Sequence, residues 1–181
     1  MQIVGGEKKG LKLSSVPGDS TRPILDRVKT ALFDTIRNNI QDKTFLDLFG
    51  GSGSVGLEAL SQGAKHVTFI DNNKNAINTL KENTKKTGFQ NSTNILFKDS
   101  FKFLESTNDK FDIIFIAPPQ YKELWIKAIQ LVDKNFKTLS PEMIIVQIDP
   151  KEYKELVFEN IKEEKQKRYG NTVMIYYRNI S

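Results

Sequence analysis

The stretch Asp47-Leu48-Phe49-Gly50-Gly51-Ser52-Gly53-Ser54-Val55-Gly56 decides how the rest of the chain is read. It continues the apolar run Phe45-Leu46-Asp47-Leu48-Phe49 and leads into a helical pattern at 55–61, so a buried strand, a glycine turn and a helix follow one another. Glycines in such a turn let the backbone bend tightly and let a ligand approach main-chain N–H groups at the helix N-terminus. Gly51-x-Gly53-x-x-Gly56 fits a dinucleotide fingerprint, and Asp71 stands 20 residues beyond Gly51, where a ribose-binding acid falls. Asp47 separates two cofactor classes. A nicotinamide cofactor brings a pyrophosphate to the loop, which an acid at its mouth repels. S-adenosylmethionine has no phosphate and carries a sulfonium and an ammonium, which an acid attracts. Charge therefore favours S-adenosylmethionine over a nicotinamide enzyme, and a glycine turn with no ligand is the remaining reading.

Working outward, Val67 to Asp71, Ile95-Leu96-Phe97, residues 111–116 and Met143–Ile148 are further buried-strand candidates. Helical patterns at 75–87, 101–106 and 124–136 alternate with them, with Gly63 and Gly88 as helix stops. Alternation of this kind predicts an α/β fold with a mostly parallel sheet covered by helices on both faces, its ligands beyond the carboxyl ends of the strands. Asp71 ends the second strand and could accept from ribose hydroxyls. Asp99, in Phe97-Lys98-Asp99-Ser100, ends the third and could accept from an adenine amine, although either acid could equally be a helix N-cap. The two chain ends depart from the alternation. Two short strands around Ile3 and Leu13, a loop at 17–23 and a helix at 26–39 are expected first. Residues 161–168, a turn at Tyr169-Gly170-Asn171 and a strand at 173–177 read better as a closing antiparallel hairpin than as another crossover unit, although the first half is charged enough to be a helix.

Composition narrows the classes. A chain of 181 residues suits one domain with a sizeable core. With no cysteine and one histidine, His66, there is no thiolate zinc site, cysteine nucleophile or histidine metal cluster, and a reducing cytoplasmic compartment is expected. No apolar run approaches the roughly 18 residues of a membrane helix and no signal peptide pattern opens the chain, so a soluble protein is expected. The net charge is +5 and the pI about 9.2. Within residues 1–30, Lys8, Lys9, Lys12, Arg22, Arg27 and Lys29 outnumber Glu7, Asp19 and Asp26, which places +3 of that excess in the first sixth of the chain. A polyanion contact and a solvated edge both fit that clustering.

Several stretches together resemble the RsmD family of bacterial 16S ribosomal RNA guanine-N2 methyltransferases, within the class I S-adenosylmethionine-dependent methyltransferases. They are Gly5-Gly6-x-x-x-Gly10; Thr21-Arg22-Pro23 with Asp26-Arg27-Val28; Leu46-Asp47-Leu48-Phe49 with Gly51-Ser52-Gly53 and Gly56-Leu57-Glu58-Ala59-Leu60-Ser61; Pro118-Pro119; and Tyr169-Gly170-Asn171-Thr172. The resemblance implies a Rossmann-like, seven-stranded sheet with a reversed C-terminal hairpin, forming a single domain. Residues 1–40 would be a small N-terminal hairpin-and-helix extension that holds RNA, and 41–181 the cofactor-binding core. Carried over by position, Asp47, Phe49, Gly51, Ser52 and Gly53 would line the methionine part of S-adenosylmethionine, Asp71 and Asn72 the ribose, and Asp99 and Ser100 the adenine. Thr21, Arg22, Pro23, Arg27, Lys8 and Lys9 would contact the substrate. The implied partner is 16S ribosomal RNA or the assembled small subunit, with no membrane, no metal and a monomeric protein.

One position departs from the pattern. In the family the proline pair is preceded by Asp or Asn and followed closely by an aromatic residue, whereas this chain reads Ala117-Pro118-Pro119-Gln120-Tyr121. A guanine exocyclic amine is a poor nucleophile because its lone pair is delocalised. An acceptor side chain with a neighbouring carbonyl aims that lone pair and stabilises the developing positive charge, while an aromatic stacks on the flipped base. Ala117 supplies no acceptor; losing one preorganised partner lowers the rate by about 10²- to 10³-fold. Backbone carbonyls at Ala117 and Pro118 remain, Gln120 is the expected compensating side chain, and Tyr121 comes one position late for stacking. Gln147 stands where an acid is expected. A catalytically impaired or retargeted RNA- and cofactor-binding homologue is the alternative reading.

Overall fold

The computed structural model describes residues 1–18 and 23–181. Its strands are β1 (Thr44–Asp47), β2 (His66–Asp71), β3 (Thr93–Phe97), β4 (Ile113–Ile116), β5 (Met143–Ile148), β6 (Ile161–Tyr169) and β7 (Thr172–Asn179). They form one seven-stranded sheet in the order β3-β2-β1-β4-β5-β7-β6. The first five pair in parallel, while β7 runs antiparallel to both β5 and β6. Strand order reverses between β1 and β4, which opens a crevice at their carboxyl ends.

The helices are α1 (Asp26–Ile40), α2 (Ser54–Ser61), α3 (Lys74–Thr87), α4 (Ser100–Ser106), α5 (Leu124–Lys134) and the single turn α6 (Phe136–Leu139). Period-two alternation gives the sheet two apolar faces. Phe45, Val67, Phe69, Phe115 and Ile145 pack with Leu32, Phe33 and Ile36 of α1, Leu57 of α2 and Leu80 of α3. Leu46, Ile70, Ile114, Ile116 and Val146 pack on the opposite face with Leu104 of α4 and Trp125, Ile129 and Val132 of α5.

Among the boundaries that differ from expectation are these three. The N-terminal strands reduce to one antiparallel bridge, Gln2↔Lys12, closed by a 3-10 turn at Gly6–Lys8. The arm is pressed too closely against α2 to extend: Gly6 has φ +75°, and a Cβ there would fall 1.7 Å from the Ser61 carbonyl oxygen. The helix expected at 124–136 stops at Lys134 and resumes as α6. The fourth strand begins at Ile113, because the Phe111 and Asp112 N–H groups turn aside to the carbonyls of Leu139 and Thr44.

A buried ion pair anchors the N-terminal arm. Lys29 Nζ lies 3.3 Å from Glu58 Oε2, both side chains are fully buried, and the ammonium also donates to the Gln2 carbonyl at 2.6 Å and to Ser54 Oγ at 2.9 Å. Glu58 in turn accepts from the N–H groups of Val4 at 2.9 Å and Gly5 at 2.8 Å. Burial lowers the Lys29 pKa, and the Glu58 carboxylate opposes that shift.

Candidate active site

A cavity of about 600 Å³ opens at the carboxyl ends of the central strands. On one side the glycine loop crosses from β1 to α2. Asp47 closes β1, 2% exposed, and its Oδ2 accepts the Gly56 N–H at 3.1 Å. Asp71 closes β2, where Oδ2 accepts the Gly51 N–H at 2.9 Å and Oδ1 the Asn73 N–H at 2.8 Å. Asp99 is the N-cap of α4, its Oδ1 accepting from the N–H groups of Phe101 at 3.0 Å and Lys102 at 2.9 Å. Asp71 therefore clamps the loop and Asp99 caps a helix, but each carboxylate retains acceptor capacity beyond these bonds. Ser100 directs its hydroxyl to the Leu48 carbonyl at 2.5 Å, tying α4 to the end of β1.

Phe49, Gly51, Ser52, Asn72 and Ser100 line the cavity together with the three acids. Gly53 does not. It has φ +82° as the N-cap of α2, and a Cβ there would meet Leu80 Cδ1 at 2.2 Å, so its place is in the packing behind the loop. At Gly51 an added Cβ meets nothing within 4 Å.

Ala117, Pro118, Pro119, Gln120 and Tyr121 form the other side of the same chamber, just beyond β4. Gln120 is exposed on the rim. Tyr121 is 65% exposed with φ +63°; its N–H donates to Glu152 Oε1 at 2.8 Å and its hydroxyl to Asp149 Oδ2 at 2.8 Å. Those bonds hold the tyrosine against the turn after β5. The Lys151 backbone N–H, and then the Tyr121 hydroxyl, hold the Asp149 carboxyl below its ordinary value.

Of the substrate residues expected from sequence, Pro23 lines the cavity. Arg27 and Lys9 are exposed outside it, and Lys8 stacks its ammonium 5.7 Å from the Phe89 ring centroid on the flank of α3. Thr21 and Arg22 lie outside the described residues. Sequence reasoning missed three contributors. Phe101 lines the cavity edge-on to Phe49, with centroids 6.1 Å apart. Its position two residues after the strand-end acid was the available signal. Met1 also lines the cavity, and Asn83 ties the arm to the loop by donating to the carbonyls of Ser14 at 2.9 Å and Ser52 at 2.8 Å. Nothing local in the sequence marks those two.

The chamber selects for a cation. Among the described residues that line it, Asp47, Asp71 and Asp99 are acidic and Lys122 alone is basic. Burial pushes the Asp47 carboxyl up to about 8; the Gly56 N–H offsets part of that rise and the Asp71 charge adds to it. A positively charged ligand beside Asp47 would restore its ionised form, whereas a pyrophosphate would compound the strain. The donor set thus fits S-adenosylmethionine and does not fit a dinucleotide. Among the described residues no group of three or more His, Cys, Asp or Glu could hold a metal ion, and no described helix is long and apolar enough to cross a membrane.

Comparison with known proteins agrees with this geometry. A family model described as Conserved hypothetical protein 95 matches residues 1–178. Ribosomal RNA small subunit methyltransferase D of Haemophilus influenzae is 34% identical over 183 residues, covering 99% of this chain and 94% of that protein. Its namesake in Escherichia coli is 33% identical over 137 residues, covering 75% of this chain and 68% of that protein. A solved Escherichia coli structure, described provisionally as a methyltransferase, superposes with a TM-score of 0.84 at 29% identity, covering 99% of this chain and 97% of the other.

Proposed function

The chain belongs to the Conserved hypothetical protein 95 family, the RsmD methyltransferases that its motifs resemble, and we propose that it methylates the exocyclic N2 of a guanine in the 16S ribosomal RNA of the small subunit. The observation that supports this reading best is the sharing of one cavity by three strand-end carboxylates and the Ala117-Pro118-Pro119 segment. When bound, S-adenosylmethionine supplies a methyl group activated by its sulfonium. Asp47, Gly51 and Ser52 would hold the methionine part, Asp71 and Asn72 the ribose, and Asp99 with Phe101 the adenine.

The base enters beside residues 117–121. Carbonyls of Ala117 and Pro118 accept the amine N–H groups and aim the nitrogen lone pair. That pair would form the N–C bond to the methyl group the cofactor supplies, the methyl–sulfur bond breaking with its electrons left on sulfur, and the amine proton would then leave for water. No general base is needed before attack. The exposed Lys9 and Arg27, with Lys8 and the segment at 21–23, would meet RNA phosphates, so that residues 1–40 act as the RNA-holding extension of a single, monomeric, cytoplasmic methyltransferase domain.

The test is single-turnover transfer of labelled methyl to small subunits from cells lacking the modification, with the product mapped by nuclease digestion and mass spectrometry. Label in N2-methylguanine is the expected result. No label, on subunits that another family member does label, would overturn the reading in favour of a retargeted or purely binding protein.

A further inference from the structure

We propose that the Gln147 amide is the side-chain acceptor for the target base, taking over the task that Ala117 cannot perform. The proposal rests on the methyl-transfer reading above and deepens it. Three observations converge. Gln147 lines the same cavity as Ala117, Pro118 and Pro119. Its Oε1 is buried and has no hydrogen-bond partner among the described residues. The other atoms in that condition belong to Asp26, Thr84, Trp125, Glu152 and Tyr176, none of which lines the cavity.

The third observation is register. β4 and β5 pair in parallel through Phe115↔Ile145 and Ile116↔Val146, so Ala117 and Gln147 are the next positions side by side. Alternation places Gln147 on the face of Ile145 and Phe115, and Phe115 pairs with Asp47 across β1. A methyl group at 117 does not reach as far as a longer side chain would, and Gln147 is the adjacent position on the same face of the sheet, lining the same cavity. Gln120, by contrast, is exposed on the rim.

A buried amide oxygen is costly to leave unpaired, and an incoming amine satisfies it. Gln147 Oε1 accepts one N–H of the exocyclic amine while a backbone carbonyl of 117–118 accepts the other. Both groups only hold the nitrogen; the bond made and broken is the one given above, and the proton still leaves to water. A neutral amide stabilises the growing charge on nitrogen less than a carboxylate does, but its position is fixed by the strand.

Single-turnover rates of the full-length protein and its variants test this, together with affinity for the target RNA carrying guanosine or inosine in the presence of S-adenosylhomocysteine. Inosine lacks the exocyclic amine. Gln147→Leu is expected to slow transfer by about 10²-fold, the scale of losing one preorganised partner, with cofactor affinity within about threefold of wild type. Gln147→Glu, which keeps an acceptor, should stay within about tenfold, and Ala117→Asn placed in the Gln147→Leu background should recover at least about tenfold. The wild type should prefer guanosine RNA over inosine RNA, and Gln147→Leu should lose most of that preference. If Gln147→Leu does not fold, Gln147→Met removes the amide at nearly equal length and carries the same expectation. A wild type that labels RNA while these variants match its rate and its guanosine preference would overturn the role of Gln147 alone. A wild type that labels no RNA would overturn the methyl-transfer reading and this proposal with it.

Discussion

The two sides of the cavity are built differently. On the side proposed for the cofactor, main-chain groups of the glycine loop are already spoken for: Gly50 N–H by the Ile70 carbonyl, Gly51 by Asp71, Gly53 by the Gly50 carbonyl and Gly56 by Asp47. On the side proposed for the target base, the alanine and two prolines bring no polar side chain, and Gln147 Oε1 is unpaired among the described residues. A site that receives the same charged ligand each time gains from being fixed in advance. On the reading proposed above, a site that must admit a base from a large RNA gains from an acceptor that stays unpaired until the base arrives.

The comparison implies that damage behind the cofactor side harms the fold, whereas change on the substrate side harms mainly chemistry. The largest effect belongs to Glu58→Ala. It would strand the buried Lys29 ammonium and release the Val4 and Gly5 N–H groups, destabilising the protein by about 3–5 kcal/mol in urea unfolding. A loss below about 1 kcal/mol would show that the arm is not part of the wired side.

Asp47→Ala comes next, with an expected loss of roughly 10²-fold in S-adenosylmethionine affinity by calorimetry and an unchanged circular dichroism spectrum. Its pH dependence sharpens the point. With the Asp47 carboxyl up to about 8 in the free protein, binding of a cation releases a proton below that pH. Affinity should therefore rise with pH, by up to about tenfold per unit, and level off above pH 8. The sign for folding is opposite. A carboxyl whose pKa is raised from 3.8 to about 8 keeps in the folded state a proton that the unfolded chain has lost, so the cofactor-free protein loses stability as pH climbs through that window. Asp47→Ala should flatten both slopes; unchanged affinity would break the assignment of the loop.

Tyr121→Phe gives the smallest effect. It removes one hydrogen bond to Asp149 at an exposed position, so stability should fall by no more than about 1 kcal/mol. The Asp149 pKa, read by NMR titration, should move back up toward its ordinary value as that bond is lost. A collapse of stability would mean that the substrate side is wired after all.

Much of this was legible in the chain before any fold was known. Alternating apolar runs and helical patterns specify a parallel sheet, because each pattern is local and its period is dictated by backbone geometry. The glycine spacing with Asp47 separates two cofactor classes on charge alone, and the motifs at 46–61 and 169–172 point to the family. Less legible were the contacts between distant segments. Lys29 and Glu58 are unremarkable in a chain rich in lysine and glutamate, and they become a buried pair only when α1 and α2 pack on the same face of the sheet. The N-terminal residues read as short strands because their alternation is real, but close approach to α2 leaves room for a single bridge.

Gln147 shows the division most clearly. In the sequence it is a polar residue in an apolar strand, 30 positions after an alanine that lacks a functional group. The sequence by itself determined the sheet and the cofactor class, because those depend on local period and charge, while the missing acceptor shows only against the pattern of the family that the motifs resemble. Only the tertiary structure decided which side chain stands next to the gap, because parallel pairing of β4 with β5 sets Ala117 and Gln147 abreast. Strand register is a property of two segments at once, and no single segment carries it.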